Sequence, residues 1–125
     1  MTKGNEKKNE LEIADINETM LQSKIYFVRD QKVMLDFELA EIYGYTTKAF
    51  NQQVKNNQER FDEDFRFKLT REEVENLRSN FSTSSWGGSR YLPYAFTEQG
   101  IYMLMTVLKG DLAIQQSKAL IRTVI

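Results

Sequence analysis

The sequence predicts a small single α+β domain, with a short β-hairpin, further short strands and about five helices, two of them a helix-turn-helix-like pair. Three observations carry this reading. Short β-rich runs alternate apolar and polar residues, or sit either side of a polar loop. Helical segments open on Thr or Asp and close on Gly. A chain of 125 residues, 41% of them hydrophobic, fills one core without needing disulfide staples.

The elements follow in order. Residues 1–10 are polar and charged with no apolar period, which predicts a disordered tail. The domain is then expected over 11–125, entered at Leu11, Ile13 and Ile16. Ile25-Tyr26-Phe27-Val28 and Val33-Met34-Leu35 flank the polar stretch Arg29-Asp30-Gln31-Lys32 and predict a hairpin. Asp36 is placed to cap a helix over 37–43 with Leu39, Ala40 and Tyr43 on one side, and Gly44 ends it. Thr46 or Thr47 then caps a second helix reaching about Gln58. Phe65, Phe67 and Leu69 alternate with Arg66, Lys68 and Thr70, the period of a half-buried strand. Thr70 with Glu73 matches a capping box and opens a helix carrying Val74, Leu77 and Phe81 on one face. A Ser/Gly loop containing Trp86 follows. The next strand, 91–96, holds Pro93, which places it at a sheet edge or places Pro93 among its first residues. Thr97 caps an amphipathic helix with Ile101, Leu104, Met105 and Leu108 in line, Gly110 stops it, and Asp111 caps the last. That last helix is still running at Val124-Ile125, so a longer protein with a further C-terminal domain is expected.

Composition narrows the function. With no cysteine and no histidine, there is no thiolate zinc site, no imidazole ligand and no Ser-His or Cys-His chemistry. No enzyme activity, metal or cofactor is expected. Glu72, Glu73 and Glu75 are read as a cap and a solvated face. No apolar stretch approaches the roughly 20 residues of a bilayer span, and the first residues lack a signal-peptide core, so a cytoplasmic protein is expected.

Net charge is −1 and the pI near 5.6, which is not the balance of a strongly basic nucleic-acid binder. The charge is unevenly spread, however. Residues 42–58 hold Lys48 and Lys55 and no acid. On the helix 47–58, Phe50 and Val54 are expected to face the core with Ala49 alongside. Lys48, Asn51, Gln52, Lys55 and Asn56 share another face. Carboxamides pair bidentately with adenine edges and Lys reaches guanine or phosphate, so this stripe is a candidate for reading the major groove. A solvated helix face has the same composition. Arg66 and Lys68, together on the outer face of their strand, are candidates for phosphate contact or equally ordinary solvated charges.

Three ordered motifs resemble a known family: Val33-Met34-Leu35-Asp36 with Leu39-Ala40 and Tyr43-Gly44; Asn57, Arg60-Phe61 and Asp64-Phe65-Arg66-Phe67 with Leu69-Thr70; and the run from Pro93 through Tyr94-Ala95-Phe96-Thr97-Glu98-Gln99 to Gly100. Together they resemble the ORF-6-N domain of the KilA-N superfamily. The resemblance implies a compact DNA-binding domain at the N-terminus of phage or prophage regulators and antirepressors. Double-stranded DNA is the implied partner, a repressor protein is the alternative, and a homodimer is a further expectation. Two positions depart from the family pattern: Asn56 stands where Arg is common, removing a cation from the candidate face, and Asp62 stands where Pro is common.

Overall fold

A computed structural model describes residues 17–81 and 90–124, and the expected tail, the Trp86 loop and the three apolar residues before Asn17 lie outside them. Among the described residues, six helices and four strands follow one another: α1 Glu18–Gln22, β1 Tyr26–Val28, β2 Gln31–Leu35, α2 Asp36–Ile42, α3 Thr47–Lys55, β3 Arg66–Lys68, α4 Arg71–Leu77, β4 Tyr94–Thr97, α5 Glu98–Val107 and α6 Asp111–Val124. Single 3₁₀ turns follow α3 at Gln58–Arg60 and α4 at Arg78–Asn80. The α+β class holds. The helix beyond the expected five is α1, capped by Asn17, whose side chain accepts from the Met20 N–H (2.8 Å).

The strands form one antiparallel sheet in the order β1-β2-β4-β3. Register assigns its two faces. Met34 pairs with Phe96 and Phe96 with Arg66, so these share one face; Leu35, Ala95 and Phe67 share the other. Each face carries its own core. Met34 and Phe96 pack with Leu39, Phe50, Val54, Ile101, Leu104 and Leu120, which gathers α2, α3, α5 and α6 on one side. Leu35, Phe67 and Ala95 pack with Phe37, Val74 and Phe81 on the other, under α4.

Several local expectations are corrected. The hairpin turns on two residues, Arg29 and Asp30, because Val28 already faces Gln31 across the ladder. Both turn residues have positive φ, 54° and 62°, as a type I′ turn demands. Arg29 tolerates this because it is held from outside the turn. Its guanidinium donates twice to Glu73 (2.9 and 3.1 Å) and lies 4.1 Å from the centre of the Phe67 ring. β4 is central, bonded to β2 and β3, and not an edge; Pro93 stands just before it, with its carbonyl accepting from Leu69 N–H (2.9 Å). α3 stops at Lys55, short of Gln58, where Asn57 turns its amide back onto the Gln53 carbonyl (2.9 Å) and competes with the helix ladder.

Other caps form as the sequence suggests. Thr70 and Glu73 make the reciprocal capping box. Thr97 caps α5, accepting from Gly100 N–H (3.3 Å) while its hydroxyl donates to the Asp64 carbonyl (2.7 Å). This brings α5 onto the chain entering β3, and a Cβ added at Gly100 would stand 1.9 Å from the Phe65 carbonyl oxygen. The backbone leaves no room for any side chain there.

Two stability outcomes follow, both read by urea denaturation. Gly100→Ala loses about 3 kcal/mol or more, since backbone must shift to admit a methyl group; an unchanged midpoint contradicts the close approach. Asp30→Gly gains about 0.5–1 kcal/mol by relieving a left-handed non-glycine residue; a loss shows that Asp30 makes a contact beyond the turn.

Candidate nucleic-acid interface

The helix-turn-helix-like pair is α2, a tight turn and α3. Gly44 (φ 77°) closes α2 with both bonds of a Schellman motif: Tyr45 N–H to the Ala40 carbonyl (2.8 Å) and Gly44 N–H to the Glu41 carbonyl (3.1 Å). Thr46 then caps α3, accepting from Ala49 N–H (3.1 Å). α6 secures the end of α2, where the buried Gln116 amide donates to the Ile42 carbonyl (2.8 Å) and Ser117 bonds the Tyr43 hydroxyl (2.8 Å). Burial pushes the Tyr43 phenol up to about 12.

The start of α2 is fixed differently. Asp36 was expected as an N-cap outside the helix; it is instead the first helical residue, with Leu35 at the cap position, and it is completely buried. One carboxylate oxygen accepts from Phe37 N–H (2.7 Å); the other accepts from the Tyr91 hydroxyl and from the Asn51 amide (2.9 Å). Burial pushes the Asp36 carboxyl above its ordinary value of 3.8, against the pull of the Tyr91 and Asn51 side chains and the Tyr94 and Phe37 N–H groups. Burial, and then the Asp36 charge, raise the Tyr91 phenol in turn. One carboxylate thus joins α2, α3 and the segment leading into β4.

This fixes where the candidate residues stand. Phe50 and Val54 are fully buried, as expected, and seat α3 on the core. Lys48, Gln52, Lys55 and Asn56 are exposed, and Gln52 donates to Asn56 (2.9 Å). Asn51 is set apart from them. It is half-buried, its amide nitrogen serves Asp36 and the Tyr91 hydroxyl (3.2 Å), and its own oxygen is buried without a partner. Ala49, expected beside the core, is exposed, as is Gln53. No acid stands in the first turn of α3 and Lys55 occupies its last, where a cation complements the helix dipole.

On β3, Arg66 and Lys68 share a face but not an environment. Lys68 is exposed, 5.7 Å from the centre of the Tyr94 ring. Arg66 is half-buried and stacks on the same ring at 4.2 Å, its Nε hidden without an acceptor. Burial lowers the Arg66 pKa, partly offset by Tyr94 and Asp36. Tyr91 was not singled out by sequence reasoning. The available signal was Asp36 itself, an acid inside the apolar run from Val33 to Phe37 that needed donors from elsewhere in the chain.

Two capped helices joined by a tight turn, the second of them without an acid, pack on a four-stranded antiparallel sheet in a small α+β domain. The chain belongs to the ORF6N domain family, a family of phage-type N-terminal domains, whose model matches residues 23–107. That span contains the sheet, α2, α3 and α5; α1 and α6 lie outside it and pack against one another. No curated protein and no solved structure matches the chain. Among the described residues, no helix is long and apolar enough to cross a membrane.

A raised carboxyl pKa favours the folded state in acid and costs it stability as pH rises from the unfolded value through the folded one. Asp36→Asn removes that titration. Thermal melts of wild type and Asp36→Asn between pH 4 and pH 7 are expected to show the difference moving in the variant's favour as pH rises. A difference independent of pH contradicts a carboxyl raised by burial.

Proposed function

We propose that this chain is the DNA-binding domain of a phage- or prophage-type transcriptional regulator or antirepressor, a binding module with no reaction of its own. In this reading α3 enters the major groove. The observation that carries it is the exposed side of α3: Lys48, Gln52, Gln53, Lys55 and Asn56 stand clear of the core with no carboxylate on the helix. Gln52 and Asn56 bond one another and still keep donor and acceptor capacity for base edges. Lys48 reaches a base or phosphate, while Lys55, Lys68 and Arg66 neutralise phosphates. Asn51, engaged with Asp36 and Tyr91, sets the seat of α3 instead of touching bases.

The protein-interaction reading, in which an antirepressor seizes a repressor, draws on one specific feature. Phe27 is 72% exposed in the edge strand β1, on a chain whose pI is near 5.6.

Titration of mixed-sequence duplex DNA at several salt concentrations tests the choice. With about four phosphate contacts, log K falls against log salt with a slope of roughly −3 to −5. The Lys48→Ala/Lys55→Ala variant, altered only at exposed positions, keeps its melting temperature and reduces the slope by about 2. Equal weak binding by both proteins removes α3 from the interface. Recovery of a repressor that depends on Phe27, with no DNA binding, moves the assignment to the protein-interaction reading.

A further inference from the structure

The side of α3 that faces away from the core is divided in two. At about 100° per residue, Gln52 stands opposite the buried Phe50 and Val54. To one side of Gln52 lie Lys48 and Lys55, and to the other Asn56, Ala49 and Gln53, all of them exposed. The lysine side is the one next to Asn51, whose amide reaches Asp36 (2.9 Å). The Asp36 charge in turn acts on Arg66 of β3. Arg66 and Lys68 meet over the Tyr94 ring, 4.2 and 5.7 Å from its centre. Four cations thus belong to one flank of α3, and the other flank is neutral. With α3 in the groove as proposed above, on which this inference rests, the cations line a phosphate strand and leave the neutral flank over the base edges.

That flank lacks the side chains that read a G·C pair. Guanine presents two acceptors to the major groove and is matched by Arg or Lys; cytosine presents an amino donor and is matched by a carboxylate. α3 contains no arginine and no carboxylate. A carboxamide carries an acceptor beside a donor, the complement of the adenine edge, whose N6 donates and whose N7 accepts. The Gln52 amide donates to the Asn56 oxygen (2.9 Å), which holds the two side chains together. Gln52 keeps its acceptor and one N–H, and Asn56 keeps both N–H groups and a second lone pair. Ala49 adds an exposed methyl against which a thymine methyl can pack. We propose that α3 recognises adjacent A·T pairs in the major groove, with Gln52 and Asn56 on adenine edges and Ala49 against a thymine methyl. Lys48 and Lys55 hold phosphates and add affinity without base preference.

The test is selection by the full chain, at low salt, from a duplex library with a randomised centre, followed by titration of the selected duplex. Adjacent A·T pairs are expected to dominate the selected sites. Replacing their adenines by 7-deazaadenine removes the N7 acceptor and keeps the pairing and the minor groove; affinity is expected to fall about tenfold or more. Replacing thymine by uracil removes the methyl group and weakens binding about threefold. Gln52→Ala/Asn56→Ala, altered at two exposed positions, binds the selected and a scrambled duplex alike, whereas Lys48→Ala/Lys55→Ala weakens both equally and keeps the preference. Sites rich in G·C, no enrichment at all, or affinity unchanged by 7-deazaadenine overturn the proposal. If the lysine variant still loses affinity in those cases, α3 remains the DNA-contacting helix and only its base preference is refuted. Failure to retain any duplex removes both.

Discussion

The arrangement of this domain depends on one buried carboxylate. Asp36 begins α2 with no access to solvent, so it must be satisfied by protein donors, and it draws them from Asn51 on α3 and Tyr91 before β4. A charge without partners in such a place would cost several kcal/mol. The carboxylate therefore specifies a geometry more than it adds stability: α3 can sit only where its Asn51 amide reaches Asp36. Gln116 and Ser117 of α6 hold the other end of the pair through the Ile42 carbonyl and the Tyr43 hydroxyl. The helix with the acid-free face is thus positioned by its neighbour, and its neighbour is fastened at both ends.

That geometry divides the polar residues of α3 between two tasks. Advancing about 100° per residue, Asn51 falls at the margin of the stripe nearest α2, while Lys48, Gln52 and Lys55 stand farther out. The marginal residue is taken into the protein; the others remain outside. The two helices beyond the family's span serve the same end. α1 is too short to persist alone, and it packs on α6, with Leu21 and Leu120 in the same core as Phe50 and Val54. Support for α3 thus extends past the matched region.

What was legible in the sequence was local. Thr70 with Glu73, Gly44 after Tyr43, and Thr97 before α5 each act within one helical turn, and each formed as read. The alternation of Phe65 to Leu69 gave β3 for the same reason. The misreadings share an opposite cause. The Arg29-Asp30 turn contains no glycine, and its left-handed backbone is tolerated because Glu73 and Phe67, distant in sequence, hold Arg29. Asp36 looks like a cap until Tyr91 is beside it. Pro93 left β4 either at an edge or with the proline at its start, and only pairing with distant β2 and β3 rules out the edge; the proline lies just before the paired residues. Within the candidate site, periodicity grouped Asn51 with its neighbours correctly on a helix wheel and could not show that another helix would claim its amide.

The most direct measurement is a map of where a duplex touches the domain, from ¹H–¹⁵N shift changes at low salt. The account predicts that the largest changes fall on Lys48, Gln52, Lys55 and Asn56, with Lys68 following and the Asn51 side-chain amide still bonded to Asp36. Changes that leave α3 untouched and gather elsewhere, around Phe27 or α6, would contradict it.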